Sequence, residues 1–412
     1  MSLQFNEAIL RLRCSKSGAD VASGGFARPI GLCSCCPAPG KPVLIEYDGA
    51  RVARAWKEGL SRAPGLFRYA PMLPVQGLPE GYAADVGGTA VVLSAALSEA
   101  TGLEVWLKNE SSNPSGSFKD RGLAVGVALG AACGARRFCL PTQGNAGVAA
   151  CLFAARLGLP GALVYMPEGY QGSIYHRACL HFGGEVSFHG PNIAAAGRRM
   201  REDLHAPLAA GEYIDISTFF EPGRLEGKKT MGLEIAEAFA GRALPEVVFY
   251  PTGGGTGLVG IWKALRELRD WGLADSAHLR LPRMVSVQSA NCAPVVEAFR
   301  SGAEEVSPVV SKGTLADGLD VPGAIMGHAM LQTLRDSGGG AVAVEEAEIE
   351  QAFRDFGRLG IGAGYESAAT LAALRKTLSV GDIRKGTSVL LLLTGSQLIP
   401  LGKGGQASGS LC

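Results

Sequence analysis

From about residue 104 onward, short apolar runs bounded by turn-forming residues alternate with segments of helical periodicity. Runs at 104–107, 138–141, 162–166, 186–189, 247–250, 284–288 and 388–393 have the length and content of strands. Between them the apolar spacing predicts helices, among them 146–157, 258–271 and 294–300, and residues 345–378 read as helices alone. Strands that alternate with helices build mostly parallel sheets covered on both faces, so an α/β architecture is expected. Ligands of such sheets sit beyond the carboxyl ends of the strands, in loops that lead into helices. Three loops of that kind are unusual: Thr142-Gln-Gly-Asn-Ala-Gly147, Thr252-Gly-Gly-Gly-Thr-Gly257 and Thr394-Gly-Ser396. Residues 1–75 differ in character, with Pro and Gly clusters around 18–40 and 63–77, and read as an N-terminal appendage.

At 412 residues the chain exceeds one ordinary core, so two compact units plus the appendage are expected. Its 47% hydrophobic and 19% charged content excludes global disorder. With 39 basic against 38 acidic residues, nothing favours nucleic acid or an anionic membrane surface as partner, and any anion site must be local. The first thirteen residues carry scattered charges and no apolar core, so no secretory signal is read there. The longest uncharged, mostly apolar stretch, 122–135, falls short of the ~20 residues of a spanning helix. Ten cysteines without a secretory context imply a reduced, cytoplasmic protein.

The loop Thr252–Gly257 follows an apolar strand and precedes an amphipathic helix. Three consecutive glycines let backbone N–H groups approach an anion, and the helix start adds unpaired donors, so a phosphate fits. Dinucleotide binding is the rival, because Gly255-x-Gly257-x-x-Gly260 satisfies the glycine fingerprint. That reading requires an acidic residue at the end of the next strand, where the chain has Gln288 and Ser289. Lys119 lies in Asn113-Pro-Ser-Gly-Ser-Phe-Lys-Asp-Arg-Gly122, where Ser117 and Asp120 form a helix-start signature. A lysine in the first helical turn, beside an apolar wall at Phe118, is disfavoured as an ammonium and becomes a nucleophile suited to an aldehyde cofactor. The loop Thr142-Gln143-Gly144-Asn145 opens a helix and is placed to hold a substrate carboxylate.

Taken together, Asn113–Gly122, Gly144–Gly147, Glu221-Pro-Gly-Arg-Leu-Glu-Gly-Lys-Lys-Thr230, Pro251–Gly257 and Leu393-Thr-Gly-Ser396 resemble the threonine synthase group of the fold type II, or β-family, pyridoxal-phosphate enzymes, with cysteate synthase in the same neighbourhood. Their order and spacing match from Tyr69 to Leu398. The resemblance implies that Lys119 holds the cofactor aldehyde as an imine, Asn145 bonds the ring hydroxyl, Gly253, Gly254, Gly255, Thr256 and Gly257 cradle the phosphate, and Thr394 faces the pyridine nitrogen. A hydroxyl there would leave the ring largely unprotonated, which favours elimination and replacement over transamination. Arg224 falls where the family places a phosphate-binding arginine, with Lys228 and Lys229 close by; a surface basic cluster is the other reading. The expected reaction is elimination or replacement on an activated amino acid: O-phosphohomoserine and water to threonine and phosphate, or O-phosphoserine and sulfite in a cysteate-synthase-like enzyme. The expected organisation is a large domain of 76–120 and 235–412, a small domain of 121–234 and a homodimer.

Departures from the family matter. Ser217-Thr-Phe-Phe220 lacks the Asn-Ser pair expected of threonine synthases, Gln143 stands where many relatives have a small residue, and Ala90 replaces a usual proline. The appendage resembles a zinc ribbon whose first Cys-x-x-Cys pair has become Cys14-x-x-Ser17, the second being Cys33-x-x-Cys36. A ligand is lost unless Cys35 or another group substitutes, so the expectation is a fold remnant without metal.

Overall fold

In a computed structural model of the chain, which describes residues 3–23, 30–61, 64–273, 280–398 and 401, two parallel sheets form the body. The larger has six strands in the order Gly340–Val344, Arg283–Ser289, Val247–Pro251, Ser388–Leu393, Glu104–Asn109 and Val91–Leu93. All its pairs are parallel except the last, where Val91–Leu93 runs antiparallel along the edge. The smaller orders Glu185–Phe188, Leu163–Met166, Phe138–Pro141 and Ile214–Asp215, all parallel. The Val, Leu and Phe runs of the inner strands are buried on both faces, as parallel strands covered by helices must be. The chain is therefore α/β, with strands where the apolar runs placed them and ends shifted by no more than two residues.

Helices Lys119–Ala132 and Gly223–Ala238 pack against each other between the sheets, and each is buried along most of its length. Such helices need their charges paired, and one network does this for both. Arg121 Nε donates to Glu110 at 2.6 Å, its Nη2 to Glu234 at 2.7 Å and its Nη1 to Thr230 at 2.9 Å. Lys108 Nζ reaches Glu234 at 2.7 Å, which ties the strand Glu104–Asn109 to the same point. Burial pushes the Glu110 and Glu234 carboxyls up, but Arg121 and Lys108 outweigh it and hold both below the usual carboxylate range.

The appendage forms a three-stranded antiparallel sheet of Asp20–Ser23, Ile9–Cys14 and Val43–Tyr47, followed by helix Gly49–Glu58. A cavity of about 700 Å³ lies between this sheet and helices Thr256–Asp270 and Gly327–Asp336, and none of the cofactor-site residues proposed from the sequence lines it.

Candidate active site

The central strand Ser388–Leu393 and the turn before Lys119 meet at their ends. Phe118 N–H donates to the Thr394 carbonyl at 3.1 Å, and Ser396 N–H to the Gly116 carbonyl at 3.0 Å. This seam places Thr394 beside Lys119, although the two are far apart in sequence. The helix begins at Lys119, one residue from the start that the Ser117-Asp120 signature implied. Ser117 Oγ accepts the Lys119 N–H at 3.3 Å, but the Asp120 carboxylate reaches back to Ser115 N–H at 2.7 Å. A capping box expected at Ser117 is thus replaced by a carboxylate that closes the Pro-Ser-Gly turn.

Lys119 Nζ lies 4.0 Å from the centre of the Phe118 ring, so the apolar wall is present. Burial lowers its pKa to about 8, Arg224 pushes in the same direction and Glu366 opposes them. Arg224 as a cause was outside the sequence argument, which named only the helix end and the apolar wall. A neutral amine becomes the majority form above that value, so the cofactor-free protein should capture an aldehyde faster as pH rises from 7 to 9 and level off beyond. Stopped-flow absorbance of pyridoxal phosphate uptake against pH tests this, and a flat profile would contradict the assigned setting of Lys119.

The glycine loop caps strand Val247–Pro251 and opens helix Thr256–Asp270. Gly255 has φ of 77°, and a Cβ there would fall 1.9 Å from Met330 Sδ, so the position requires glycine twice over. Gly253 lies against the Gly318 carbonyl, Gly254 against the Thr218 methyl and Gly257 against the Tyr250 hydroxyl. Thr256 Oγ1 accepts from Lys228 Nζ at 2.5 Å. The dinucleotide rival has no support in the geometry: the Gln288 amide donates to the Thr252 carbonyl at 3.2 Å, and its oxygen accepts Val295 and Val296 N–H.

The basic cluster is buried, so the surface reading fails, and it splits in two. Arg224 is 3% exposed and Lys228 is 2%. Lys229 turns away, to Glu226 at 2.8 Å and Glu267 at 2.9 Å. Lys228 Nζ stands 4.5 Å from the Phe118 ring that Lys119 also faces, and burial with the Lys119 and Arg224 charges drives its pKa far down. Arg224 Nη1 donates to the Ile216 carbonyl at 2.9 Å while its buried Nε has no partner, and its guanidinium forms no ion pair among the described residues. Glu221 serves the backbone, accepting Arg224 N–H at 2.9 Å, and burial raises its pKa to about 7 against the pull of Arg224.

Thr142 Oγ1 accepts Gly144 N–H at 3.0 Å and shapes the turn into helix Asn145–Arg156. The Asn145 and Gln143 side chains are half-buried and make no hydrogen bond to the described protein, so both remain available to a ligand. Tyr175 packs its ring on Gly144. Glu366, which the sequence leaves equally open to a cap, a packing contact or catalysis, accepts Gly318 N–H at 2.9 Å and acts on Lys119 and Tyr175, and after Asp320 on Tyr170. Its place in the first turn of the helix that follows Gly364 is the signal the sequence carries. Phe219, in the departing segment, has φ of 69°, a strained conformation for a non-glycine residue.

A buried lysine held toward its neutral form, a glycine loop that opens a helix, an amide with no hydrogen bond to the described protein and a hydroxyl at the end of the central strand would suit an aldehyde cofactor with an anionic tail. They define a fold type II pyridoxal-phosphate enzyme. The family described as pyridoxal-phosphate dependent enzyme matches residues 82–395, and the chain belongs to it. Within it the chain is threonine synthase-like. It is 30% identical over 391 residues to the threonine synthase of Methanosarcina acetivorans, covering 94% of this chain and 91% of that protein. The threonine synthase of Methanocaldococcus jannaschii is 29% identical over 360 residues, 86% of each. Among solved structures, the processed form of threonine deaminase isoform 2 from Solanum lycopersicum superposes with a TM-score of 0.63 at 22% identity, over 75% of this chain and 79% of that one. Maize serine racemase gives 0.62 at 18% identity, over 75% and 88%. These two show the fold. No helix among the described residues is long and apolar enough to cross a membrane.

Proposed function

We propose that the chain converts a phosphorylated amino acid by elimination of phosphate and addition of water, with O-phosphohomoserine as substrate and threonine as product. Bound pyridoxal phosphate supplies an electron sink that acidifies Cα of the attached amino acid. Gly253–Gly257 and Lys228 hold the cofactor phosphate, Asn145 bonds the ring hydroxyl, and the Thr394 hydroxyl faces the ring nitrogen. The Lys119 amine, brought closer to its neutral form than an ordinary lysine by its burial, takes the proton from Cα and returns protons as phosphate leaves and water adds. Thr142, Gln143 and Gly144, at the start of helix Asn145–Arg156, take the substrate carboxylate.

One observation carries the choice of a phosphorylated substrate: Arg224 is a buried guanidinium without a carboxylate partner and with an unpaired Nε. Arginine so placed invites a second anion. Released phosphate should be followed with O-phosphohomoserine, and with O-phosphoserine plus sulfite. Activity on the first supports the proposal, activity on the second alone would make the chain a β-replacement enzyme, and phosphate from neither would sink both. Arg224→Met should raise KM for the phosphorylated substrate by roughly 10- to 100-fold, the loss of ~1.5–3 kcal/mol for a hydrogen bond to a charged group. The cofactor absorbance should stay, since Arg224 is assigned to the substrate.

A further inference from the structure

Away from the cofactor cleft, the appendage brings Cys14, Cys33, Cys35 and Cys36 together with their sulfur atoms all within 4.8 Å of one another. Four thiolates around zinc, with Zn–S bonds of ~2.3 Å, stand ~3.8 Å apart, so the cluster needs only small adjustments to close on a metal. Cys14 and Cys36 Sγ are already 3.6 Å apart. The position left by Ser17 is the informative one: its Oγ lies 3.5 Å from Cys35 Sγ. Cys35 therefore enters, from the second loop, the corner that a cysteine at 17 would fill. The sequence names Cys35 as a group that could substitute; its place beside Ser17 is what the structure adds to the expectation of a remnant without metal.

Backbone donors also face two of the sulfurs: Ser17 N–H points at Cys14 Sγ over 3.5 Å and Lys41 N–H at Cys33 Sγ over 3.4 Å. Cys14 and Cys33 are buried while Cys35 is exposed, which leaves an entry path from solvent, and all four cysteines are free of disulfides.

We propose that Cys14, Cys33, Cys35 and Cys36 bind one soft divalent cation, zinc, and that the resulting clip braces the wall of the substrate site. The second half rests on the role given above to Arg224; the first does not. Bracing follows from contacts at both loops. Gly31, two residues before Cys33, touches the chain at Phe220 so closely that a Cβ would fall 2.0 Å from its carbonyl carbon and 2.5 Å from Glu221 N. That segment leads directly into the helix that carries Arg224 and contains the strained Phe219. On the other side, Ser15 Oγ meets His328 Nε2 at 3.0 Å, and Lys16 and Lys41 meet Glu305 at 2.8 and 3.1 Å. His328 lies in helix Gly327–Asp336, whose Met330 backs Gly255.

The test uses full-length protein carrying pyridoxal phosphate, purified in reductant without chelator, and reads metal content, thiol reactivity and the absorbance of a cobalt-exchanged sample. About one zinc per chain is expected, with thiolate-to-cobalt charge-transfer bands after exchange. Cys35→Ser should lower zinc content at least tenfold, the double variant Cys35→Ser with Ser17→Cys should restore it, and Cys133→Ser should leave it unchanged. Should the variants not fold, the wild type decides alone: thiols that become reactive as one zinc is released support the site. Folded, cofactor-loaded protein that takes up neither zinc nor cobalt, with four reactive thiols or two disulfides, would overturn it. Removing the metal should raise KM for the phosphorylated substrate several-fold while the cofactor absorbance stays; an unchanged KM would overturn the brace and leave the metal site standing. Metal content is indifferent to the substrate, so failure of the proposed reaction does not touch it.

Discussion

Replacing Lys119 by alanine is expected to remove the visible absorbance band of the lysine-bound cofactor, near ~410 nm, and to cut turnover by on the order of 10³-fold or more. The substitution deletes the amine proposed both to hold the cofactor and to move protons. Stability should not suffer, because the deleted group is a desolvated amine resting on Phe118 with no hydrogen-bond acceptor recorded for Nζ among the described residues. Borohydride reduction of the wild type, followed by peptide mapping, should find the label on the peptide that contains Lys119. Label on the peptide with Lys228, which faces the same ring, would transfer the covalent role to that residue and refute the assignment.

Arg121→Met is expected to lower folding stability by ~3–5 kcal/mol, because it leaves two buried carboxylates with Lys108 as their one remaining cation among the described residues. Chemical denaturation of wild type and variant at pH 7 measures the loss. The pH dependence carries a second signature. Glu110 and Glu234 have folded pKa values below those of the unfolded chain, so their contribution is full above the ordinary carboxylate range and fades as pH falls through the folded values. The stability gap between wild type and variant should therefore narrow in acid. A loss under ~1 kcal/mol would mean that water or repacking satisfies the carboxylates, and that the network does not hold the two helices.

What could be read from the chain followed how local the physics was. Strands at 138–141 and 388–393 appear at those bounds because their apolar runs are buried on both faces. Gly340–Val344 and Val91–Leu93 went unread: both lie at sheet edges, are short and are only partly buried, so their pattern is weak. Gly253–Gly257 and Lys119 were legible as turn and helix-start chemistry. The contacts of Lys228 and Glu366 were not, since each acquires its meaning from a partner distant in sequence, Thr256 and Gly318; Cys35 was legible as a possible substitute ligand, but not its place beside Ser17. The cap at Ser117 was misread because the Asp120 carboxylate had a nearer donor in Ser115.

The place of Ser388–Leu393 in the larger sheet has a consequence for biogenesis. It is hydrogen-bonded to Val247–Pro251 on one side and Glu104–Asn109 on the other, so the pair of early strands joins the rest only through it. While a ribosome is still making this protein, the turn that presents Lys119 lacks its backbone partners at Thr394 and Ser396 until those residues have emerged. The proposed cofactor site is then complete only once translation has passed that point.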